Sequence, residues 1–286
     1  MTTMLETGRW SERRRRAETL LDRWPFAGEV LGFYLALLDV QRTIFERARE
    51  AGPELERLGA FAAEAALPHI VGVSVDRGPQ QLGLGVVERF HEADAAKIVE
   101  TWLHGGDLSA VDRYLARASV APILEALDQR SLSPLRSAED DRHCPACGGL
   151  PQVSYFASAP EDLVTGHRYL LCSRCAATWA FTRMMCASCG EEETAKLLVY
   201  SEIGTLQGER SSEIVRKEDP NVNKGDARFP HLRIDGCATC KQYLINVDVG
   251  RDGWAVPEVD ELAALPLDLY AKELGLTKIT PNLMGF

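Results

Sequence analysis

The chain has 286 residues, 45% of them apolar and 26% charged, which is enough apolar material for one large or two ordinary domains and excludes a disordered tail. Its 32 Lys and Arg stand against 42 Asp and Glu, a net charge of −10 that is shared evenly between residues 1–140 and the remainder. That balance argues against a protein whose main task is covering nucleic-acid phosphates, because no basic module hides behind an acidic one.

The longest apolar run, residues 30–38, is flanked by Glu29 and Asp39 and falls well short of the ~20 residues that span a bilayer. The first 25 residues contain acids, and no apolar run follows the arginines at 13–16. Neither a secretory nor a twin-arginine signal is expected, so the reading is a soluble, cytoplasmic protein without membrane insertion.

Residues 1–140 read as an all-α domain. Ser11 is placed to cap a helix carrying Ala17, Leu20, Leu21 and Trp24, and Pro25 stands where a second helix can begin. Leu31, Tyr34, Leu35, Leu38 and Phe45 continue at helical spacing, with Arg42, Arg47 and Arg49 on other faces. Pro53 opens a third helical segment at 54–66, which Pro68 ends; 69–75 fits either a strand or a buried helix. Residues 88–103 and 108–127 give two more helices, separated by Gly105 and Gly106.

The arginines at 13–16 turn by about 100° per residue and form no single patch, and Glu12 lies one helical turn before Arg16, so a solvated face is expected. Gly72, Gly78, Gly83 and Gly85 make no phosphate-binding pattern, and His69, His91 and His104 lack ligand or triad spacing. There is no catalytic constellation, and a non-enzyme is expected.

All eight cysteines fall after residue 143, in four C-x-x-C pairs: Cys144 with Cys147, Cys172 with Cys175, Cys186 with Cys189, and Cys237 with Cys240. In a reducing compartment paired thiols of this kind read as metal ligands before disulfides, since two thiolates in one tight turn can face one ion and two such turns complete a tetrahedron. Pairing in chain order gives two four-cysteine sites; a crossed pairing is conceivable because only ten residues separate Cys175 from Cys186. Gly148 and Gly190 follow two of the turns, where glycine admits positive φ, whereas Ala176 and Lys241 follow the others. The ligand set suits zinc or a single iron; composition alone favours structural zinc. His143 and His167 are candidates for a supporting role beside the first turn.

Strand-like runs at 152–157, 167–172 and 178–182 bracket the first site, and 197–201, 232–234 and 243–249 the second. In the last of these Tyr243, Ile245, Val247 and Val249 share one parity. The polar insert 202–231 reads as a loop. Near the C-terminus Asp260 is placed to cap a short helix with Leu262 and Leu265. Pro266 restarts or kinks it, Leu267, Leu269, Tyr270 and Leu274 follow, and Gly275 closes it. Leu283 and Phe286 in the tail are expected to pack back on the metal region.

The succession Cys144-Pro-Ala-Cys147-Gly148, Arg168-Tyr-Leu-Leu-Cys172-Ser-Arg-Cys175 with Trp179, Cys186-Ala-Ser-Cys189-Gly190, and Cys237-Ala-Thr-Cys240 with Tyr243-Leu244 resembles the formate dehydrogenase accessory (formation) protein family, E-type. The closing Leu265-Pro-Leu-Asp-Leu-Tyr-Ala and Pro281-Asn-Leu carry the same resemblance. It implies a multi-domain α+β protein: an all-α domain at 1–140, two small rubredoxin-like or zinc-ribbon β domains at 141–183 and 184–250, and a C-terminal helix and tail at 251–286. It also implies a cytoplasmic protein needed to obtain active formate dehydrogenase, with the catalytic subunit of that enzyme as its partner, no nucleic acid, and a homodimer allowed. Iron at the cysteine sites is implied as well, which leaves iron and zinc evenly placed. A rubredoxin-like electron carrier and a zinc-ribbon nucleic-acid-binding protein are the alternatives.

Overall fold

The computed structural model describes residues 2–92, 94–136, 140–157, 166–203, 213–216 and 227–285. Its contacts group the chain into two units: Met1–Arg14, Gly28–Gly149 and Ser173–Ala177 form one, and Arg15–Ala27, Leu150–Cys172 and Thr178–Phe286 the other.

The first unit is helical. Helix α1 (Thr2–Arg23) contributes its N-terminal part, and α2 (Gly28–Ala51), α3 (Leu58–Ala65), α4 (Leu67–Arg77), α5 (Gln80–Glu92), α6 (Ala95–Leu103) and α7 (Ala110–Ala126) follow. Pro25 starts a single 3-10 turn before α2, on which Leu31, Tyr34, Leu38 and Phe45 are buried and Leu35 half-buried. Ser11 lies inside α1 and not at its start.

Pro68 does close one helix, but it also occupies the first turn of the next, where a missing N–H costs nothing, so 69–75 is helix. The 88–103 segment is two helices, because the Asp94 side chain accepts the Lys97 N–H and starts α6 afresh.

Helix α7 is the buried centre of this unit, with Leu115, Val120, Ile123 and Leu124 at most 1% exposed. Pro122 within it removes the N–H that the Ala118 carbonyl would receive, and the Gln41 side chain of α2 donates to that carbonyl at 2.9 Å.

The second unit is built on one eight-stranded sheet. Its strands are β1 (Pro151–Ala157), β2 (His167–Cys172), β3 (Thr178–Ala180), β4 (Leu197–Ile203), β5 (Glu213–Arg216), β6 (Leu232–Cys237), β7 (Gln242–Asp248) and β8 (Thr277–Lys278). They run in the order β3-β2-β1-β7-β6-β4-β5, with β8 also paired to β7. All pairs are antiparallel except β1 with β7 and β7 with β8. The strands flanking both cysteine sets therefore share one sheet, joined by the parallel β1–β7 pair.

Residues of both parities are buried on β7, including Leu244 and Asn246 beside Ile245 and Val247, so this central strand is covered on both faces. The buried Asn246 amide donates to Ser154 Oγ at 2.8 Å. The polar insert is not all loop: β4 extends into it and β5 pairs with β4, while 204–212 and 217–226 lie outside the described residues. Helices α8 (Pro257–Asp260) and α9 (Leu265–Glu273) complete the unit. Pro266 stands in the first turn of α9, and Gly275 follows at φ +73°. In the tail Leu283 is half-buried; Phe286 lies outside the described residues.

The solvated face expected for arginines 13–16 is half wrong. Arg13 and Arg16 are each 5% exposed. Arg16 does not serve Glu12; its guanidinium bonds Asp260 Oδ2 at 3.0 Å and Asp252 Oδ2 at 2.7 Å. Asp260 is fully buried; it ends α8 and stands at the N-cap position of the 3-10 turn Glu261–Ala263, but its side chain makes no capping hydrogen bond there. Besides Arg16 it accepts the Val256 N–H at 2.8 Å, and His231 Nε2 lies 2.8 Å from its Oδ1.

A second buried ion cluster joins β8 to the helices. Lys278 Nζ lies 2.6 Å from Glu261 and 3.0 Å from Asp268, and Tyr243 donates to Asp268 at 2.8 Å. Burial opposes the Lys278 charge, but the two carboxylates outweigh it and hold its pKa up.

Removing one partner of a buried pair strands the other charge, so Arg16→Met is expected to lose about 3–5 kcal/mol of unfolding free energy in urea, and Arg16→Met with Asp260→Asn to recover part of it. Burial works to raise the Asp252 pKa, and the Arg16 hydrogen bond outweighs it, so the net shift is downward. A depressed carboxylate adds stability that is full above its unfolded pKa, ~3.9, and is lost as pH falls through the folded value. The urea-midpoint gap between wild type and Asp252→Asn should therefore be full at neutral pH and close in acid.

Candidate metal centres

The four C-x-x-C turns share one backbone solution. The residue after the second cysteine has positive φ in every case: +69° at Gly148, +54° at Ala176, +76° at Gly190 and +57° at Lys241. Glycine takes this conformation freely, while Ala176 and Lys241 are held in it at some strain. In three turns the N–H of that residue closes onto the carbonyl of the first cysteine: Gly148 onto Cys144 at 2.8 Å, Gly190 onto Cys186 at 3.0 Å, and Lys241 onto Cys237 at 3.0 Å. Two of the turns stand at the ends of antiparallel pairs, Cys172–Cys175 leading from β2 to β3 and Cys237–Cys240 from β6 to β7.

These turns bring the sulfurs together in chain order. Cys144, Cys147, Cys172 and Cys175 form one set and Cys186, Cys189, Cys237 and Cys240 the other, with all four sulfurs of each set within 4.8 Å of one another. The crossed pairing is not what the fold adopts. Measured edges are 3.7 Å for Cys144–Cys175, 3.8 Å for Cys186–Cys240 and 3.7 Å for Cys189–Cys237. A tetrahedron with metal–sulfur bonds of about 2.3 Å has edges of about 3.8 Å, so both sets fit a four-thiolate metal ion. The geometry does not separate zinc from iron.

Backbone N–H groups prepare the second set for charge. Ser188 N–H points at the Cys186 sulfur, with nitrogen and sulfur 3.4 Å apart. Burial pushes the Cys186 and Cys240 thiols up. Burial acts the same way on Cys237, but amide donors at Cys240 and Thr239 outweigh it and bring that thiol below its ordinary value.

The second set is also open to solvent on one side, since Cys189 is exposed and Cys240 half-buried. The turn at Cys172–Cys175 is latched by arginines that the sequence did not single out. Arg117, 6% exposed, donates to the Ser173 carbonyl at 3.2 Å, and Arg9 donates to the Ala176 carbonyl at 2.9 Å. The second of these contacts spans 167 residues, and no local signal announces it.

His143 bonds Asp140 through Nδ1 at 2.6 Å and holds that carboxylate at about 2, with Arg142 adding to the effect; His167 is exposed. A third group, His231 with Asp252 and Asp260, has metal-like spacing, but the Arg16 guanidinium bonds both of its carboxylates.

Metal analysis of the full chain is expected to give two ions per chain, and Cys186→Ser to leave one. Loss of both ions in that variant would refute independent sites. In metal-free protein Cys189 should be the first cysteine of its set alkylated by iodoacetamide, and the buried Cys237 the last, as read by peptide mass spectrometry.

Comparison with known proteins adds to this geometry. Residues 143–183, which contain the whole first set, match the family model "FdhE, central domain". A protein named FdhE homolog from Aquifex aeolicus is 22% identical over 95% of this chain and 93% of its own length. One from Pseudomonas putida is 32% identical over 77% of this chain, and one from Stutzerimonas stutzeri is 29% identical over 54%. The chain spans 63% and 42% of those two relatives, less than two thirds of each. The crystal structure of the FdhE protein from Pseudomonas aeruginosa shares the fold, with a TM-score of 0.60, 21% identity, and coverage of 96% of this chain and 95% of that one. With four cysteine turns in the expected succession, a central-domain match laid over the first sulfur set and one fold running nearly end to end, the chain is similar to proteins of the FdhE family.

Proposed function

We propose that this protein is a cytoplasmic accessory factor for the formation of active formate dehydrogenase, and that it binds the catalytic subunit of that enzyme without itself oxidising formate. The observation that carries the reading is the pair of four-cysteine clusters standing in a fold that relatives named FdhE share. Cys144, Cys147, Cys172 and Cys175 hold one metal ion and Cys186, Cys189, Cys237 and Cys240 a second, iron or zinc, as structural ligands.

A bound ion supplies the cross-link that small β-turns lack, on the order of 10–16 kcal/mol per structural site. The chain's own residues do the rest. The positive-φ positions aim the sulfurs, the amide donors stabilise thiolates, and Arg9 and Arg117 fix one turn to the helices of its own unit. Among the described residues no single helix is long and apolar enough to cross a membrane, which agrees with a protein that meets its client before export. One observation favours a second reading: the exposed Cys189 gives the second cluster a solvent-facing edge, the arrangement an electron carrier would need if iron is held there.

The test is formate-dependent dye reduction in extracts of a host lacking this gene, with and without the gene restored. Loss and recovery of activity while the catalytic subunit is still made, together with co-purification of that subunit, is the expected result. Unchanged activity would overturn the reading.

A further inference from the structure

The sheet unit contains a cavity of about 280 Å³ beside the second cysteine set, lined by Arg168, Arg183, Arg233, Asp235 and Cys186 over an apolar floor that includes Leu198. Its volume lies near the lower end of ordinary ligand pockets, ~300–1,000 Å³.

Carboxylates alone do not balance the guanidinium groups in its wall, although the Cys186 sulfur, a ligand of the second set, supplies further negative charge beside them. Three guanidinium groups face one carboxylate, and Asp235 is already shared, 2.8 Å from Arg233 Nε and 3.4 Å from Arg168 Nη2. Arg183 has no carboxylate partner among the described residues. Its contacts are the Gly166 carbonyl at 3.3 Å and the face of Phe156, whose centroid lies 4.3 Å away. Arg233 lies over the same ring at 4.6 Å. A guanidinium lying over a ring keeps N–H donors at its edge for an in-plane acceptor.

Arg168 is 5% exposed; it donates to the Met185 carbonyl at 2.9 Å, and its Nε is buried with no acceptor among the described residues. Burial pulls its pKa down, although Asp235 opposes the shift. Buried donors of this kind are nearly always satisfied, and guanidinium donors without a carboxylate of their own in a confined wall favour an anionic acceptor.

We propose that this cavity is a binding site for a carboxylate carried on a short apolar body. The guanidinium edges receive the carboxylate, and the aliphatic floor receives the stem. The same chemistry is offered by a free short-chain organic acid and by the C-terminal carboxylate of a peptide with an apolar last residue.

The test is calorimetric titration of the metal-loaded full chain with hexanoate, with hexylamine as the same stem of opposite charge, and with Ala-Leu-Leu as free acid and as amide. Binding of hexanoate or of the free-acid peptide at millimolar concentration, with no binding of hexylamine or the amide, supports the site, and the stronger of the two names the source. Arg183→Gln, at an exposed position, should weaken binding ~tenfold while thermal stability and metal content stay unchanged. Equal binding of hexanoate and hexylamine, no binding of either acid, or full affinity in Arg183→Gln would overturn the proposal. The arginines would then serve only as counter-charges to the thiolates of the neighbouring cluster.

Discussion

Four sulfurs held about 3.8 Å apart are the constraint on which the rest of this structure depends. As thiolates they would repel one another by about 4 kcal/mol per pair at an effective dielectric of 20, so the arrangement is tenable only if the groups stay protonated or share a cation. Burial alone pushes Cys186 and Cys240 toward the protonated form, while the amide donors around Cys237 pull the other way. Bare protein and metal-loaded protein thus place opposite demands on the same turns. The backbone resolves them by fixing sulfur positions through φ and hydrogen bonds, including at Ala176 and Lys241, where no glycine eases the conformation.

Buried charge is the second theme. Arg16 with Asp252 and Asp260, and Lys278 with Glu261 and Asp268, place ionised groups where apolar side chains of similar volume would cost less to bury. The Arg16 cluster ties together segments far apart in the chain, while the Lys278 cluster closes a short C-terminal stretch. Arg16 reaches from α1 to residues 236 and 244 positions later, and Lys278 draws α9 and the preceding turn onto β8. Such pairs discriminate against wrong pairings, because any arrangement that separates them leaves a charge without water or a partner. Pro122 and Gln41 show the same logic for a neutral group: the carbonyl that proline orphans is met by a side chain 77 residues away.

The single sheet gives the cysteine turns a common frame. β7 lies between β1 and β6, and the turn that carries Cys237 and Cys240 opens directly into it. The parallel pair β1–β7 joins the hairpin that bears Cys172 to the strands that bear Cys237. Parallel pairing needs a long connection, here the stretch between β1 and β7, and a local reading of strand propensity does not reveal it.

What the sequence determined by itself is what short-range chemistry can specify. The spacing of Cys144, Cys147, Cys172, Cys175, Cys186, Cys189, Cys237 and Cys240 announced two sulfur sets and their order. Gly148 and Gly190 announced the positive-φ positions, and the strands at 151–157, 167–172 and 242–248 were visible from β-branched and aromatic content. Prolines 25 and 266 marked helix starts, though Pro68 was read only as an end because a proline that closes one helix looks the same in sequence as one that opens the next. Only the tertiary structure decided that Arg13 and Arg16 are buried, that the Asp260 side chain holds an ion pair and makes no capping hydrogen bond to the turn it precedes, that β7 is covered on both faces, and that Arg168, Arg183 and Arg233 surround one cavity. The physical reason is common to all four. A charge or a strand face is indifferent to its sequence neighbours when its partner lies scores or hundreds of residues away, and only folding brings that partner within a few ångströms.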